Sequence, residues 1–177
     1  MSIADLFANN YFIRLLRGRT SDYDLIVSMV GVKLGERLLQ IGGGDGLLLA
    51  ALGARTGLTG QVSAVELDAE AAARVKDQAM KDGVLSEVQA APFEHLPFPD
   101  GSFDIVVIPY PSLNDPGGDR LTGVAEAFRV LRLGGRLSVI GRAKSDAISN
   151  QLQQQGFKAA RLIAERDGHA FYEAIKK

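Results

Sequence analysis

A cluster of glycines lies between two hydrophobic runs and could bring the backbone close to a ligand. The cluster is IGGGDGL, residues 41–47, in which Gly42, Gly44 and Gly46 form a G-x-G-x-G pattern. Glycine adopts backbone conformations that other residues rarely adopt, and a loop that leads into a helix aims the first N–H groups of that helix at a bound group. The dinucleotide pattern G-x-G-x-x-G would need a glycine where Leu47 stands. We therefore predict a ligand-binding loop that differs from the nicotinamide fingerprint.

One acidic residue has the position of a ribose ligand. Glu66 ends a second apolar run, VSAVE, twenty residues after Gly46. A carboxylate can accept both hydrogen bonds of a ribose diol, which is the role of the acid at this spacing in dinucleotide-binding folds. A solvated acid at the end of a strand would have the same spacing, so that interpretation stays open. Asp68 competes for the role, but its place before AEAAARV favours a helix N-cap.

Two side chains are candidates for catalysis near such a site. His95 is one of two histidines, and histidine is the side chain that titrates near neutral pH. Tyr110 ends the apolar run FDIVVIPY, and ligands of open α/β sheets bind beyond the carboxyl ends of the strands. A surface or loop-packing role is the alternative for His95. The other histidine, His169, lies beside a predicted turn and is interpreted as structural.

The composition argues against several classes of protein. The chain of 177 residues has no cysteine, and its two histidines lack a metal-ligand spacing, so we predict no metal site. The 20 basic and 21 acidic residues leave no excess of positive charge, so no nucleic-acid partner is expected. The first residues, MSIADLFANNYFIRLL, lack the charged region and cleavage site of a signal peptide. No apolar run approaches the roughly 18 residues of a membrane span, and we expect a cytoplasmic protein.

Strand-like and helix-like segments alternate after Gly31, which predicts an α/β fold with a mostly parallel sheet and helices on both faces. The predicted strands are 37–41, 62–67, 87–91, 103–110 and 136–140. The predicted helices are 47–54, one from Asp68 to Gly83, 121–131 closed by Gly134 and Gly135, and 145–155. Asp167 and Gly168 form a turn dipeptide, so the sheet should end in a hairpin whose last strand, 170–175, is antiparallel.

Four motifs, taken in order, resemble one enzyme family. They are LLQIGGGDG, VSAVELDAEAA, FEHLPFPDGSFDIVV and FRVLRLGGRL. Together they resemble the class I S-adenosylmethionine-dependent methyltransferases, in particular the small-molecule branch called type 11 or menaquinone/ubiquinone-methyltransferase-like. The resemblance implies a Rossmann-like, seven-stranded sheet with an antiparallel final strand. It also implies S-adenosylmethionine as cofactor and a small-molecule methyl acceptor that is modified on oxygen, nitrogen or carbon.

The resemblance assigns parts of the cofactor to parts of the chain. The glycine loop would hold the methionine part, the acid after the second strand the ribose, and the loop after the third strand the adenine. The cofactor-binding residues implied in this way are Gln40, Gly42, Gly43, Gly44, Gly46, Glu66, Leu67, Pro92 and Phe93. Phe93 would pack on the adenine, or in the core. Gln40 stands where the family commonly has an acid, and Pro92 where an aspartate usually faces the adenine amino group.

These two departures favour an alternative: a methyltransferase-like protein without catalysis, which serves as a partner subunit or a cofactor-binding regulator. For the enzyme, we expect one domain over residues 1–177, with a core of 32–177 and an N-terminal helical lid of 1–31. The lid would contain helices near 3–9 and 22–30. Its aromatic residues would cover the acceptor or dock on the sheet, and its arginines would meet an anionic acceptor or water. The aromatic residues are Tyr11, Phe12 and Tyr23, and the arginines are Arg14, Arg17 and Arg19. The alternatives are a cover from the second subunit of a homodimer, or hardly any cover at all.

Overall fold

The computed structural model describes residues 23–110 and 120–177, which form a seven-stranded sheet in the order β3-β2-β1-β4-β5-β7-β6. The strands are β1 (Arg37–Ile41), β2 (Gln61–Glu66), β3 (Glu87–Ala90), β4 (Phe103–Pro109), β5 (Leu131–Gly141), β6 (Lys158–Arg166) and β7 (His169–Ile175). The pairs among β1 to β5 are parallel, whereas β7 pairs antiparallel with both β5 and β6. The predicted sheet, with its antiparallel final strand, is confirmed.

Helices pack on both faces of this sheet, as predicted. They are α1 (described over 23–30), α2 (Leu47–Thr56), α3 (Ala69–Lys81), α4 (Val124–Val130), which follows a short 3-10 turn (Arg120–Gly123), and α5 (Asp146–Gln154). Successive residues of a strand point to opposite faces. In β4, therefore, Ile105 and Val107 belong to the core cluster that includes α1, α2 and α3. Val106 and Ile108 belong to the cluster that includes α4 and α5.

The order of the strands places a crevice between β1 and β4. The chain runs outward from β1 to β3 and returns to β4 on the other side of β1, so the loops after β1 and β4 leave in opposite directions. Ligands of open α/β sheets bind at such a switch point, outside the carboxyl ends of the strands. The predicted glycine loop and the predicted Tyr110 both lie at this edge.

The largest difference from the predicted boundaries lies between α4 and β5. Gly134 and Gly135 do not close α4, which ends at Val130; they belong to β5. The reason is an interaction with the chain end: the Gly134 N–H donates to the Lys176 carbonyl at 2.8 Å, and the Lys176 N–H donates to the Gly135 carbonyl at 3.0 Å. Periodicity within 121–140 contains no information about this distant partner.

The Asp167–Gly168 turn and the Asp68 cap are confirmed. Asp167 and Gly168 have φ angles of 50° and 76° between β6 and β7, as a tight hairpin turn requires. Asp68 accepts a hydrogen bond from the Ala71 N–H at 2.8 Å at the start of α3. The predicted helix near 3–9 and most of the lid lie outside the described residues.

Carboxylates and arginines link the amino ends of three strands. Asp104 of β4 accepts hydrogen bonds from the Arg37 N–H at 2.8 Å, from Arg37 Nε at 3.1 Å and from Arg132 Nε at 2.5 Å. Burial raises the pKa of Asp104, but these hydrogen bonds outweigh it and lower the pKa from 3.8 to about 2. Beside them, Glu36 pairs with Arg136 at 2.6 Å.

Candidate functional site

A cavity of about 300 Å³ lies beyond the carboxyl ends of β1 and β4. Its walls come from the glycine loop, the end of β4, the residue after β5 and the described start of α1. The lining residues are Tyr23, Gln40, Gly42, Gly43, Gly44, Asp45, Leu48, Pro109, Tyr110 and Arg142. The structure thus brings four of the predicted cofactor-binding residues, Gln40, Gly42, Gly43 and Gly44, together with the predicted Tyr110.

The glycines of the loop have different physical roles. A Cβ on Gly43 would lie 2.6 Å from Glu66 Oε1 and 2.8 Å from the Val75 methyl groups. A Cβ on Gly46 would lie 2.9 Å from the Val75 carbonyl oxygen, so these two glycines let α3 approach the loop. Gly44 has no atom within 4 Å of its Cβ position, but its φ is +60°. Gly44 therefore leaves backbone exposed at the cavity.

Glu66 is held against the glycine loop. Its side chain lies at the end of β2 with only 6% of the residue exposed, and Oε1 accepts a hydrogen bond from the Gly43 N–H. A carboxylate has two oxygens and about four acceptor positions, so this contact leaves it able to accept further hydrogen bonds. The predicted ribose ligand is consequently positioned next to the loop, whereas Leu67, the next residue, is 44% exposed.

Gln40 presents a buried acceptor that lacks a partner. The residue is fully buried, and its Nε2 donates to the Gly42 carbonyl at 3.1 Å. Its Oε1 is buried and makes no hydrogen bond with the described part of the chain. An unsatisfied buried acceptor costs about 1–3 kcal/mol, and Gln40 lines the cavity. A ligand with an N–H or ammonium donor would satisfy this oxygen.

The predicted adenine loop begins beside Glu66 but does not line this cavity. The Ala91 N–H donates to the Glu66 carbonyl at 2.8 Å, which fixes the start of the loop. Pro92 is exposed, and Phe93 is 2% exposed within the core cluster on the α4 side. His95 lies on an exposed turn, closed by its N–H to the Pro92 carbonyl at 3.0 Å. The roles of these three residues toward a ligand stay predictions.

One arginine of α4 holds the rest of that loop. Arg129 donates to the carbonyls of Leu96 at 3.1 Å and Phe98 at 2.8 Å, and to Asp100 at 2.7 Å. It also donates two hydrogen bonds to Glu126, whose carboxylate accepts the Leu96 N–H at 2.8 Å. The hydrogen bonds that Arg129 donates to Glu126 and Asp100 raise the pKa of Arg129. The motifs LPFPDGSFD and FRVLRLGG are therefore joined in space by one guanidinium group.

Sequence reasoning missed Arg142 and gave His169 only a structural role. The Arg142 guanidinium lies 4.7 Å from the centre of the Tyr110 ring, and the Tyr110 hydroxyl lies 3.3 Å from His169 Nδ1. Arg142 directly follows β5, the parallel neighbour of β4, which is the signal that could have identified it. His169 begins β7, and because β7 is antiparallel its first residue lies at the same edge.

Within residues 23–110 and 120–177, no group of three or more histidine, aspartate or glutamate side chains is arranged to hold a metal ion. No helix in these two ranges has both the length and the apolar character needed to cross a membrane.

Comparison with known proteins gives consistent matches. The profile of the family described as "Methyltransferase domain" matches residues 39–139, more than half of the chain. The chain is 34% identical to the ubiquinone/menaquinone biosynthesis C-methyltransferase UbiE of Cupriavidus pinatubonensis over 119 residues, 67% of this chain and 48% of that protein. It is 33% identical to the protein of the same name from Pseudomonas putida over 75% of this chain and 51% of that protein. The chain spans about half the length of the curated relatives that it matches.

Solved structures with lower identity share the fold. A SAM-dependent methyltransferase from Aquifex aeolicus has a TM-score of 0.74 at 20% identity and covers 88% of this chain and 90% of its own. YcgJ from Bacillus subtilis has a TM-score of 0.72 at 16% identity, and the match covers 89% of this chain and 99% of YcgJ. The [4+2]-cyclase SpnF has a TM-score of 0.70 at 17% identity, with 87% and 80% covered. At these identities the likeness concerns the fold alone.

Proposed function

Since the chain belongs to the methyltransferase domain family, within the class I S-adenosylmethionine-dependent methyltransferases, we propose that it transfers a methyl group from this cofactor to a small-molecule acceptor. The observation that carries the proposal is the buried Gln40 Oε1, which has no hydrogen-bond partner among the described residues and lies beside a glycine loop bonded to Glu66. A glycine loop and an unsatisfied acceptor at the switch point, with an acid of β2 held against the loop, fit a ligand with a donor group and a diol.

The described residues fit the cofactor of the family. Gln40 and the loop from Gly42 to Gly46 would hold its amino-acid part, because the exposed backbone at Gly44 and the Gln40 oxygen are available to it. Glu66 would accept hydrogen bonds from the ribose. A neutral amide in place of the acid that the family commonly has gives a weaker interaction with an ammonium group, so we expect reduced affinity and not its loss.

The cofactor, when bound, supplies a methyl group on a positively charged sulfur, which a nucleophile attacks directly. The protein then has to hold the acceptor at near-attack distance and exclude water. Tyr110 and Arg142 line the same cavity from the ends of β4 and β5, so an acceptor that enters this cavity would contact them. A proton acceptor is needed only where the attacked atom carries a proton of high pKa.

The relatives suggest the first acceptors to test. Both relatives described above are named as ubiquinone/menaquinone biosynthesis C-methyltransferases. A hydroquinone ring carbon is therefore the first acceptor in a screen, followed by phenols and amines. Formation of S-adenosylhomocysteine that depends on the added acceptor would show transfer.

Cofactor binding is tested first, by calorimetric titration with S-adenosylmethionine and S-adenosylhomocysteine. We expect micromolar binding to the wild type and a loss of at least about tenfold, or roughly 1.4 kcal/mol, in Glu66→Ala and in Gly44→Val. Glu70→Ala is the matched control, because Glu70 is an exposed acid whose partner, Arg74, is also exposed. A wild type that binds neither compound at millimolar concentration would contradict the proposal.

Gln40 also favours the second candidate, a cofactor-binding protein without catalysis. The SpnF structure, named for a cyclase, shows that this fold does not decide the reaction. Binding of S-adenosylmethionine without turnover across the whole acceptor screen would support the second candidate. Turnover of any acceptor, lost in Glu66→Ala, would exclude it.

A further inference from the structure

We propose that Arg142, held over the Tyr110 ring, is an anion-binding group of the cavity and receives a carboxylate or a similar planar anion. The proposal rests on the proposed function for the identity of its ligand, because that function supplies two sources of such a group. One is the amino-acid part of the cofactor, and the other is an anionic acceptor.

The charge of Arg142 is not balanced by any carboxylate among the described residues. Arg37, Arg129, Arg132 and Arg136 each pair with a carboxylate, whereas Arg142 forms no ion pair with any described residue. Its guanidinium is exposed, and it contributes to the cavity at the glycine loop and to an adjoining one of about 350 Å³. A ring face attracts a cation without cancelling its charge. Arg142 is thus a cation presented to the space where a ligand would lie.

The acids near Arg142 form no ion pair with it. Asp45 lines the same cavity, but its Oδ1 accepts the Leu47 N–H at 3.1 Å at the start of α2. Glu165 and Asp167 line the adjoining cavity, and neither pairs with Arg142. The carboxylate of Asp167 lies 3.8 Å from Arg166 Nε. None of these acids replaces an external anion at the guanidinium.

Tyr110, whose ring lies under the Arg142 guanidinium, is held at its backbone and at its hydroxyl. Tyr110 has a φ of 49°, a left-handed conformation that is strained for a tyrosine, and its N–H donates to the Ile140 carbonyl at 2.6 Å. At the other end its hydroxyl lies 3.3 Å from His169 Nδ1. Strained residues persist where the surroundings hold them, and they cluster at ligand sites. Tyr110 and His169 are in this sense positioning residues for the guanidinium.

The geometry of arginine selects the ligand chemistry. A guanidinium group is planar and offers parallel N–H donors that match the two oxygens of a carboxylate. A lysine at the same place would keep the charge but lose the flat contact with the ring. Arg142→Lys should therefore bind an anion more weakly than the wild type and more strongly than Arg142→Gln.

The first arm of the test asks whether the anion belongs to the cofactor. Calorimetry compares S-adenosylhomocysteine with 5′-methylthioadenosine, which lacks the amino-acid part, on wild type, Arg142→Gln and Arg142→Lys. If the cofactor supplies the anion, Arg142→Gln weakens S-adenosylhomocysteine at least about tenfold and leaves 5′-methylthioadenosine unchanged. Arg55→Gln is the control, because Arg55 is exposed in the last turn of α2, at the other end of that helix.

The second arm asks whether the anion belongs to the acceptor. Benzoate and its neutral analogue benzamide are titrated into the free protein and into protein saturated with S-adenosylhomocysteine. An acceptor site predicts that benzoate binds in both states more tightly than benzamide, and that Arg142→Gln removes the difference. If Arg142→Gln changes neither the cofactor affinity nor the benzoate affinity, the proposal is overturned. A wild type that does not bind S-adenosylhomocysteine contradicts the proposed function instead, and benzoate binding to the free protein still tests Arg142.

The positioning role has its own readout. The chain has two histidines, and only His169 contacts Tyr110, so His95 is an internal reference in proton NMR spectra. Benzoate should shift the His169 signals and not those of His95, which lies on the loop predicted to hold the adenine. Tyr110→Phe keeps the ring under Arg142 and should keep anion binding, whereas Tyr110→Ala should weaken it as Arg142→Gln does. Unchanged anion binding in a folded Tyr110→Ala protein would show that the ring does not position Arg142.

Discussion

At the residue scale, Gly43 and Gly44 are neighbours with opposite constraints. Gly43→Ala would bring a methyl group within 2.6 Å of Glu66 Oε1, whereas a methyl on Gly44 meets no atom within 4 Å but requires a φ of +60°. We expect Gly43→Ala to lower the free energy of unfolding by about 1–3 kcal/mol through overpacking. Gly44→Ala should cost about 1 kcal/mol.

Urea denaturation of both variants measures the difference, and calorimetry with S-adenosylhomocysteine gives the second readout. Gly43→Ala should also weaken binding, because it displaces Glu66 from the loop. Equal losses of stability in the two variants would mean that contact with Glu66 and Val75 does not constrain position 43.

A substitution at Gln40 should change cofactor affinity and leave stability nearly unchanged. Gln40→Met has a similar shape, removes the Oε1 that lacks a partner, and also removes the 3.1 Å bond to the Gly42 carbonyl. Because one desolvated acceptor disappears as one hydrogen bond is lost, we expect stability to change by less than about 1 kcal/mol. Cofactor affinity should nevertheless fall several-fold in calorimetry. Unchanged affinity would show that Gln40 Oε1 does not contact the ligand.

The sequence predicted the near neighbours of the loop better than the far wall of the cavity. Gln40, Gly42 to Gly44 and Glu66 belong to motifs with a fixed spacing, and a spacing is visible in one chain. Arg142 and His169 carry no such motif. Arg142 reaches the cavity because β5 lies next to β4, and His169 reaches Tyr110 because β7 is antiparallel. Pairing of this kind depends on contacts between distant segments.

At the element scale, Arg129 joins α4 to the loop between β3 and β4 through three hydrogen bonds. Its two further hydrogen bonds go to Glu126 of the same helix. Arg129→Ala leaves the Leu96 and Phe98 carbonyls without this donor and Glu126 without its partner. We expect a loss of about 2–3 kcal/mol in the free energy of unfolding. Arg129→Lys should lose less, since it keeps the charge but cannot make all the contacts.

Denaturant unfolding of the two Arg129 variants beside Arg55→Ala measures this effect. Because the loop is predicted to hold the adenine, 5′-methylthioadenosine should also bind more weakly to Arg129→Ala. An Arg129→Ala variant that keeps wild-type stability would contradict the role of Arg129 in holding the loop between β3 and β4. Weakened stability with unchanged nucleoside binding would instead remove the loop from the site.

The hydrogen bonds of Asp104 at the amino ends of β1, β4 and β5 should make a contribution to stability that is lost in acid. The pKa of Asp104 is about 2 in the folded protein against 3.8 ordinarily. A lowered pKa means that the contribution is fully present above about pH 4–5 and is lost as the pH falls through 2. We expect about 1–2 kcal/mol, less than the full shift implies, because Arg37 and Arg132 are 40% and 48% exposed.

Unfolding of wild type and Asp104→Asn between pH 7 and pH 2 isolates this contribution. Glu36 and Glu126, whose pKa values are also lowered, remain in both proteins, so their effects cancel in the difference. The stability gap between the two proteins should close as the pH approaches 2. A gap that stays constant with pH would assign the effect of the substitution to packing.

Local signals predicted most elements but not where each one ends. The Asp68 cap and the Asp167–Gly168 turn depend on one or two residues, and both are confirmed. The start of β5 depends on hydrogen bonds between Gly134, Gly135 and Lys176, more than forty residues away in the sequence. The glycines alone indicated a helix end, because glycine commonly follows one.

At the scale of the whole molecule, the cavity at the switch point lies at the carboxyl ends of the central strands β1, β4 and β5. The cavity contacts α1, the loop after β1, the end of β4 and the residue after β5, which come from both halves of the chain. A ligand that binds only the folded state stabilises all of these together. Cofactor binding should therefore raise the temperature of the whole unfolding transition.

The size of this rise follows from affinity. At a S-adenosylhomocysteine concentration of about 100 Kd the stabilisation is about 2.7 kcal/mol, which for a chain of this length corresponds to roughly 5–10 °C in Tm. Differential scanning calorimetry should show the full rise in wild type and in Glu70→Ala but, for a tenfold loss of affinity, only about half of it in Glu66→Ala. An undiminished rise in Glu66→Ala would mean that the ligand binds away from the glycine loop, because Glu66 is the acid held against that loop by the Gly43 N–H.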